Sequence, residues 1–205
     1  MTNFLKLVWT NLVYYLSFDR IEEALMPYRS KKLRQTKSTD IQRWKKNSQL
    51  DSEWNERTAL LGEFIPTNSR IIEFGAGTMF LKTHLNYYQS YTPADIVKRF
   101  DETIVCDLNQ PIPFELSQYD VAVFSGVLEY VYDIDAVFHQ LSSKVERIVL
   151  SYCVLDHFKN FRTQNGWLSD YSKAELEAIF EKNNYQIADY KEWRNQSLYH
   201  LIQKN

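Results

Sequence analysis

Residues 71–79 read Ile-Ile-Glu-Phe-Gly-Ala-Gly-Thr-Met: a short apolar run reaches an acidic residue, passes through Gly-x-Gly and enters a helical period carrying Phe80, Leu81 and Leu85. No other stretch constrains the fold as strongly. A buried strand that turns through glycines straight into a helix belongs to a sheet covered by helices. The turn also leaves backbone bare at the positive end of that helix, where a ligand can lie against it. The chain holds only five glycines, so two within three residues mark a place where a side chain would be in the way.

The texture on either side of this turn differs. Residues 1–66 lack strand patterns and read as helices, the clearest starting at Asp51 as N-cap and closing before Pro66 and Asn68. From residue 69 onward, apolar runs alternate with helical periods. Strands are expected at Arg70–Phe74, Ser90–Ala94, Glu102–Cys106, Val121–Ser125 and Arg147–Cys153. Helices are expected over Thr78–Tyr88, Leu128–Leu141 and Ser172–Asn183, the last with a capping box of Ser172 and Glu175. Two closing strands, Tyr185–Trp193 and Leu198–Gln203, flank the turn Arg194-Asn195-Gln196. The pattern predicts an α/β fold: a doubly wound, mostly parallel seven-stranded sheet with an antiparallel C-terminal hairpin, plus N-terminal helices. Two units follow, an N-terminal helical segment over 1–66 that covers the acceptor side and a ligand-binding domain over 67–205.

At 205 residues the chain can bury a sizeable core, and 44% hydrophobic with 15% aromatic residues excludes a disordered protein. Cys106 and Cys153 both sit in apolar runs and read as small buried hydrophobes; no Cys/His cluster has ligand spacing, so no metal site is expected. The first 18 residues repeat Phe4, Leu5, Val8, Trp9, Leu12 and Leu16, interrupted by Lys6, Thr10 and Asn11. That run is too short and polar to span a bilayer and lacks the layout of a secretory leader, so the cytosol is the default compartment. It reads as an amphipathic helix packed on the domain or a partner, with peripheral membrane contact as the lesser reading. Residues 28–46 hold eight basic residues and one acidic, a local +7 in a chain of net charge −2. A solvated face is the plain account, and a patch for an anionic acceptor, nucleic acid or membrane the functional one.

In doubly wound sheets ligands bind beyond the carboxyl ends of the strands. Strand one ends in Glu73, Gly75, Ala76 and Gly77. Strand two ends at Asp95, 20 residues after Gly75, the offset of an acid that accepts ribose hydroxyls. At the third end, Asp107 can take an adenine amino group with Leu108 against the ring, or simply cap a turn with Asn109 and Pro111. The fourth end, Phe-Ser-Gly-Val-Leu-Glu-Tyr over 124–130, leaves room at Ser125 and Gly126 and opens the next helix with Glu129. Any one of these acids has a structural explanation; four in the right order are harder to dismiss.

The glycines are close to the dinucleotide fingerprint G-x-G-x-x-G, but Phe80 stands where its third glycine belongs. Glu73-x-Gly75-x-Gly77 instead resembles the first motif of the class I S-adenosylmethionine (SAM) methyltransferases. Residues 70–153 are similar to the SAM-binding half of that family, 119–130 to its fourth motif region, and 185–203 to its sixth and seventh strands. The resemblance implies SAM as cofactor, with Glu73 organising the turn, Gly75 and Gly77 against the methionine portion, Asp95 on the ribose and Asp107 on the adenine. Met79 departs from the pattern, which usually has a third glycine there, and its side chain is expected to crowd the turn or tilt the helix.

Methyl transfer from a sulfonium is an in-line displacement, so alignment can supply most of the catalysis, and a base is needed only if the acceptor carries a proton. Of the four histidines, His157 follows Asp156 past the fifth strand and is the candidate general base, with Tyr152, Asp156 and Tyr171 as alternatives on the same rim. The Asn/Asp-Pro-Pro-Tyr motif of enzymes that methylate base amines is absent after strand four. The expected function is therefore methyl transfer to a small-molecule acceptor, through oxygen, of sugar, lipid-linked or secondary-metabolite type. A catalytically silent methyltransferase-like binding module is the rival, and nucleic acid is an unlikely partner for a chain this acidic overall.

Overall fold

The structure, a computed structural model, describes residues 18–204. The helix expected over the first 18 residues thus lies outside the described residues, apart from Phe18, which opens α1. Chain order is α1 (Phe18–Thr36), α2 (Ile41–Trp44), a 3₁₀ turn (Asn47–Gln49), α3 (Trp54–Gly62), β1 (Arg70–Phe74), α4 (Phe80–His84), β2 (Ser90–Asp95), β3 (Ile104–Val105) and β4 (Val121–Phe124). A second 3₁₀ turn (Leu128–Tyr130), α5 (Ile134–Leu141), β5 (Arg147–Tyr152), α6 (Lys173–Lys182), β6 (Tyr185–Trp193) and β7 (Gln196–Gln203) complete it.

The seven strands form one sheet in the order β3-β2-β1-β4-β5-β7-β6. The first five pair in parallel, and β7 runs antiparallel between β5 and β6. The expected doubly wound sheet with its C-terminal hairpin is therefore present. Alternation along the strands sorts the core into two layers. Ile72, Phe74, Ala122, Phe124, Ile148 and Leu150 face Val137, Phe138 and Leu141 of α5 and Leu176 and Phe180 of α6. Ile71, Val121, Val123 and Val149 face Leu61 of α3 and Leu81 of α4. Order reverses between β1 and β4, which places a crevice at their carboxyl ends.

Several boundaries differ from the sequence expectation, each for a tertiary reason. The helix expected over Thr78–Tyr88 ends at His84, because Tyr87 is tied back to the end of α3 and the turn after it: its carbonyl accepts from Asn68 N (2.6 Å) and its hydroxyl donates to the Gly62 carbonyl (3.1 Å). The helix expected over Leu128–Leu141 breaks at Val131. There Asn109 donates to the Tyr130 carbonyl (3.0 Å) and accepts from Tyr132 N (2.9 Å), and Asp133 caps a fresh start by accepting from Ala136 N (3.0 Å). Asp51 accepts from Glu53 N (2.9 Å) rather than capping a helix, and α3 begins three residues later at Trp54. The hairpin turn shrinks to Arg194-Asn195, with Trp193 opposite Gln196. The capping box of Ser172 and Glu175 forms as expected.

Candidate active site

A cleft of about 370 Å³ opens at the carboxyl ends of β1, β2, β3 and β4. Gly75, Ala76, Gly77, Glu73, Asp95, Asp107, Leu108, Ser125 and Gly126 all line it, so nine of the residues singled out from sequence meet in one place.

The glycine turn hangs on the end of β2. Gly75 N and Ala76 N donate to the Ala94 carbonyl (2.7 and 3.2 Å), and Gly77 N donates to Asp95 Oδ2 (2.9 Å). Gly75 has φ +69°, and a Cβ there would stand 2.3 Å from Val127 Cγ2, so only glycine brings the turn this close to the loop after β4. Asp95 Oδ1 accepts from Val97 N (2.9 Å) and from Arg99 Nη1 (3.3 Å). Its carboxylate is thus aimed at the turn and still has acceptor capacity. Glu73 is buried below the turn and accepts a hydrogen bond from the Tyr91 hydroxyl. Burial pushes its carboxyl up to about 8; the Tyr91 bond opposes that rise and the charge of Asp95 adds to it. Asp107 Oδ1 accepts from Asn109 N (3.0 Å), the turn-capping bond foreseen as the structural alternative, and the residue still lines the cleft.

Met79 is the N-cap of α4 in the left-handed conformation, φ 58° and ψ 37°. It keeps the backbone shape that the missing glycine would adopt. Its side chain is not part of the cleft lining, so it does not crowd the ligand space.

Two sequence expectations fail. Glu129 lies behind the cleft: its Oε1 accepts from Cys153 N (2.9 Å), and its carbonyl from Leu168 N (2.7 Å), so it staples the loops after β4 and β5 together. His157 is also outside the lining, its Nε2 3.5 Å from Glu192 of β6. Beyond β5 the chain turns toward α6, where Asp156 accepts from Lys173 N (2.6 Å), and that course carries His157, Asp156, Tyr152 and Tyr171 off the rim. Among the described residues no histidine lines the cleft.

Sequence reasoning missed Arg57. This α3 arginine is 7% exposed, donates from Nε to Ser125 Oγ (3.3 Å) and from Nη2 to the Ser125 carbonyl (3.2 Å), and lines the cleft. Burial lowers its pKa, with Glu129 raising it in partial compensation. Its hydrogen-bond acceptors are neutral, so a buried cation faces the ligand space with donors to offer. The signal was legible: Arg57 occupies a core position in the stripe Trp54, Arg57, Thr58, Leu61, where an apolar residue is expected.

The segment from Thr39 to Leu50 straps over the strand ends. Asn109 Nδ2 donates to Thr39 Oγ1 (3.0 Å), Arg99 donates to the Trp44 carbonyl, and Leu50 stands over Gly77. Arg43 Nη1 donates to the Asn165 carbonyl (2.8 Å), and its guanidinium lies 4.9 Å from the Trp44 ring and 5.6 Å from that of Tyr130. Arg34 grips the Trp167 carbonyl (2.9 and 3.2 Å) and Asp170 (2.5 Å). Arg29 pairs with Asp40. Arg34 and Arg43 therefore clamp the N-terminal helices to the 154–171 loop, Arg29 ties α1 to the cap of α2, and Arg43 alone of the eight basic residues of the stretch lines the cleft. Trp44, Trp54 and Tyr130 supply an aromatic wall.

Bare glycine backbone, an acid at the end of β2 and a ligand-facing crevice at the strand reversal define a class I SAM-dependent methyltransferase. A family model described as "Methyltransferase domain" matches residues 46–190, and the chain belongs to that family. The match starts inside the N-terminal helical segment, so the strap residues 46–50 and α3 are part of it. Among solved structures, a SAM-dependent methyltransferase from Mesorhizobium loti is similar at 13% identity over 70% of this chain and 96% of that one, with a TM-score of 0.59. A Burkholderia thailandensis 1,6-didemethyltoxoflavin-N1-methyltransferase, with its substrate and S-adenosylhomocysteine bound, is similar at 12% identity over 93% and 92%, TM-score 0.56. A third is the mitomycin 7-O-methyltransferase MmcR, at 12% identity over 74% of this chain and 54% of that one, TM-score 0.55. No curated protein matches the chain in sequence. The chain is an enzyme with SAM as its cofactor. The cleft's own chemistry fits that group: uncrowded glycine backbone, an acid for a diol and a buried cation without an ion-pair partner among the described residues.

Proposed function

We propose that the enzyme methylates an oxygen of a small-molecule acceptor held against Trp44, Trp54 and Tyr130. SAM supplies an electrophilic methyl group on a sulfonium. In this reading Gly75, Ala76 and Gly77 lie along its methionine portion, Arg57 holds the methionine carboxylate, Asp95 the ribose, and Asp107 with Leu108 the adenine. The strap of residues 39–50 and the 154–171 loop close over the cofactor and shape the acceptor side, which extends the expected division at residue 66. The catalytic contribution of the chain is alignment and exclusion of water, since no histidine among the described residues lines the cleft and Glu73, Asp95 and Asp107 are committed in this reading to the glycine turn or the cofactor.

One observation carries the choice of oxygen: the cation beside the Trp44 and Tyr130 rings is Arg43, which lines the cleft and donates to the neutral acceptors Gln49 and the Asn165 carbonyl. A cationic wall disfavours a protonated amine and tolerates a neutral or anionic oxygen. The mitomycin 7-O-methyltransferase among the similar structures accords with oxygen as the methylated atom, and the Burkholderia N1-methyltransferase with a small-molecule acceptor. The test is S-adenosylhomocysteine formation with panels of hydroxylated rings, saccharides and amines. Product with hydroxyl-bearing compounds supports the reading, and product confined to amines overturns it.

A further inference from the structure

The basic stretch divides by residue type. Its arginines are turned inward and bonded, whereas Lys31, Lys32 and Lys37 are exposed and make none of the contacts that hold the arginines. Helix α1 divides in the same way. Met26 and Ser30 are buried on one side, with Ser30 Oγ donating to the Thr163 carbonyl (2.7 Å). On the opposite side Ile21 (46%), Leu25 (55%) and Tyr28 (73%) follow one another at helical spacing and are open to solvent. Lys32 continues that stripe one turn beyond Tyr28, and Lys31 flanks it. Phe161, 61% exposed, lies two residues from the Thr163 that α1 holds.

We propose that this outer face of α1 seats on an anionic bilayer surface. An apolar stripe edged by lysines whose charges have no partner among the described residues is the arrangement of a helix lying in the plane of an interface, with the aliphatic stems of lysine reaching along the apolar surface and their charges at the headgroups. In the sequence, α1 continues an apolar, aromatic stretch that includes Trp9, Tyr14 and Tyr15, side chains favoured at membrane interfaces. Among the described residues no helix is long and apolar enough to cross a membrane, so the mode is lying on rather than spanning. Charge complementarity favours a lipid surface over a neutral protein groove. Gly166, which lines the cleft, packs near Met26 on the inner side of the same helix, so a seated α1 would hold the acceptor mouth close to the bilayer. That last consequence rests on the acceptor reading above; the seating does not.

The test is co-sedimentation of the full chain with vesicles of phosphatidylcholine alone or mixed with phosphatidylglycerol. Binding is expected to the mixed vesicles, weakened by salt. Leu25→Glu with Tyr28→Glu should cut it at least about tenfold, and Lys31→Glu or Lys32→Glu about fivefold each. All these side chains lie outside the cleft, so an unchanged thermal shift with S-adenosylhomocysteine certifies the fold of each variant and keeps this test separate from that of the cofactor site. Wild-type protein that stays in the supernatant overturns the proposal, as do variants that sediment like wild type. A double variant that turns a wild-type dimer into a monomer by light scattering, with no vesicle binding by either, assigns the face to a second copy instead.

Discussion

Arg57 lies face-on against Gly126: a Cβ on the glycine would fall 2.2 Å from Nη2 and 2.5 Å from both Cζ and Nη1. The glycine has φ +65°, so both its backbone shape and its missing side chain let a buried cation rest on the end of β4. Replacing Gly126 by Ala should destabilise the domain by roughly 1–3 kcal/mol through backbone strain and displaced packing. It should also weaken S-adenosylhomocysteine binding by moving Arg57. Chemical denaturation and calorimetry on the same variant read the two effects, and a stable variant with wild-type affinity contradicts the fit.

Arg57→Gln tests the role of the cation directly. Loss of charge-assisted hydrogen bonds worth about 1.5–3 kcal/mol predicts S-adenosylhomocysteine affinity lower by about 10- to 150-fold. 5′-Methylthioadenosine, which lacks the amino-acid end, should bind both proteins equally. Equal losses for both ligands would place Arg57 elsewhere than on the carboxylate.

The fold was legible to a large extent because strands buried on both faces write themselves as short apolar runs, and the acids at their ends sit where the sheet order reverses. Gly75, Gly77, Asp95, Asp107, Ser125 and Gly126 fell into place for that reason. What escaped was set by contacts distant in sequence. The break at Val131 depends on Asn109, the end of α4 on Tyr87 pairing with residues 62–68, and the exile of His157 on the course of the chain toward α6. Arg57 differs: a charged side chain in an apolar helical stripe marks a buried cation in the sequence, but what it faces is known only from the sheet end it packs on. The basic run looked like one patch, yet arginine and lysine part company in it, since the planar guanidinium suits carbonyls and carboxylates inside the structure.

Glu73 gives the enzyme a pH signature. Its carboxyl is held up to about 8 in the folded state, above its ordinary value. The unfolded chain therefore releases this proton at lower pH than the folded one, and stability falls as pH rises from about 5 to about 8. Glu73→Gln should remove that component, so its Tm advantage over wild type should widen across this window. About 1 kcal/mol corresponds to about 2–4 °C in a domain of this size, so thermal scans between pH 5 and 9 resolve the effect. Parallel curves for the two proteins would contradict it.

The left-handed backbone at Met79 carries about 1 kcal/mol of strain that glycine would not. Since Met79 caps α4 and stands outside the cleft lining, Met79→Gly should raise stability by up to about that amount and leave cofactor affinity unchanged. Weaker binding by a folded variant would mean that the side chain reaches the cofactor after all.

Arg43 ties the strap to the loop at Asn165. Arg43→Ala should loosen the cover and speed S-adenosylhomocysteine release about tenfold, by the loss of its charged hydrogen bonds to the Asn165 carbonyl and, within the strap, to Gln49. Stopped-flow displacement measures that rate, and an unaltered rate would show that the strap does not gate exchange.

The measurement closest to the central claim is calorimetry of the wild-type chain with SAM and S-adenosylhomocysteine. The cleft at Glu73, Gly75, Gly77, Asp95 and Asp107 predicts a one-to-one complex of roughly micromolar Kd, about 8 kcal/mol, that Asp95→Ala weakens without unfolding the protein. No heat and no thermal shift with either compound at about millimolar concentration would contradict the assignment of this cleft to the cofactor.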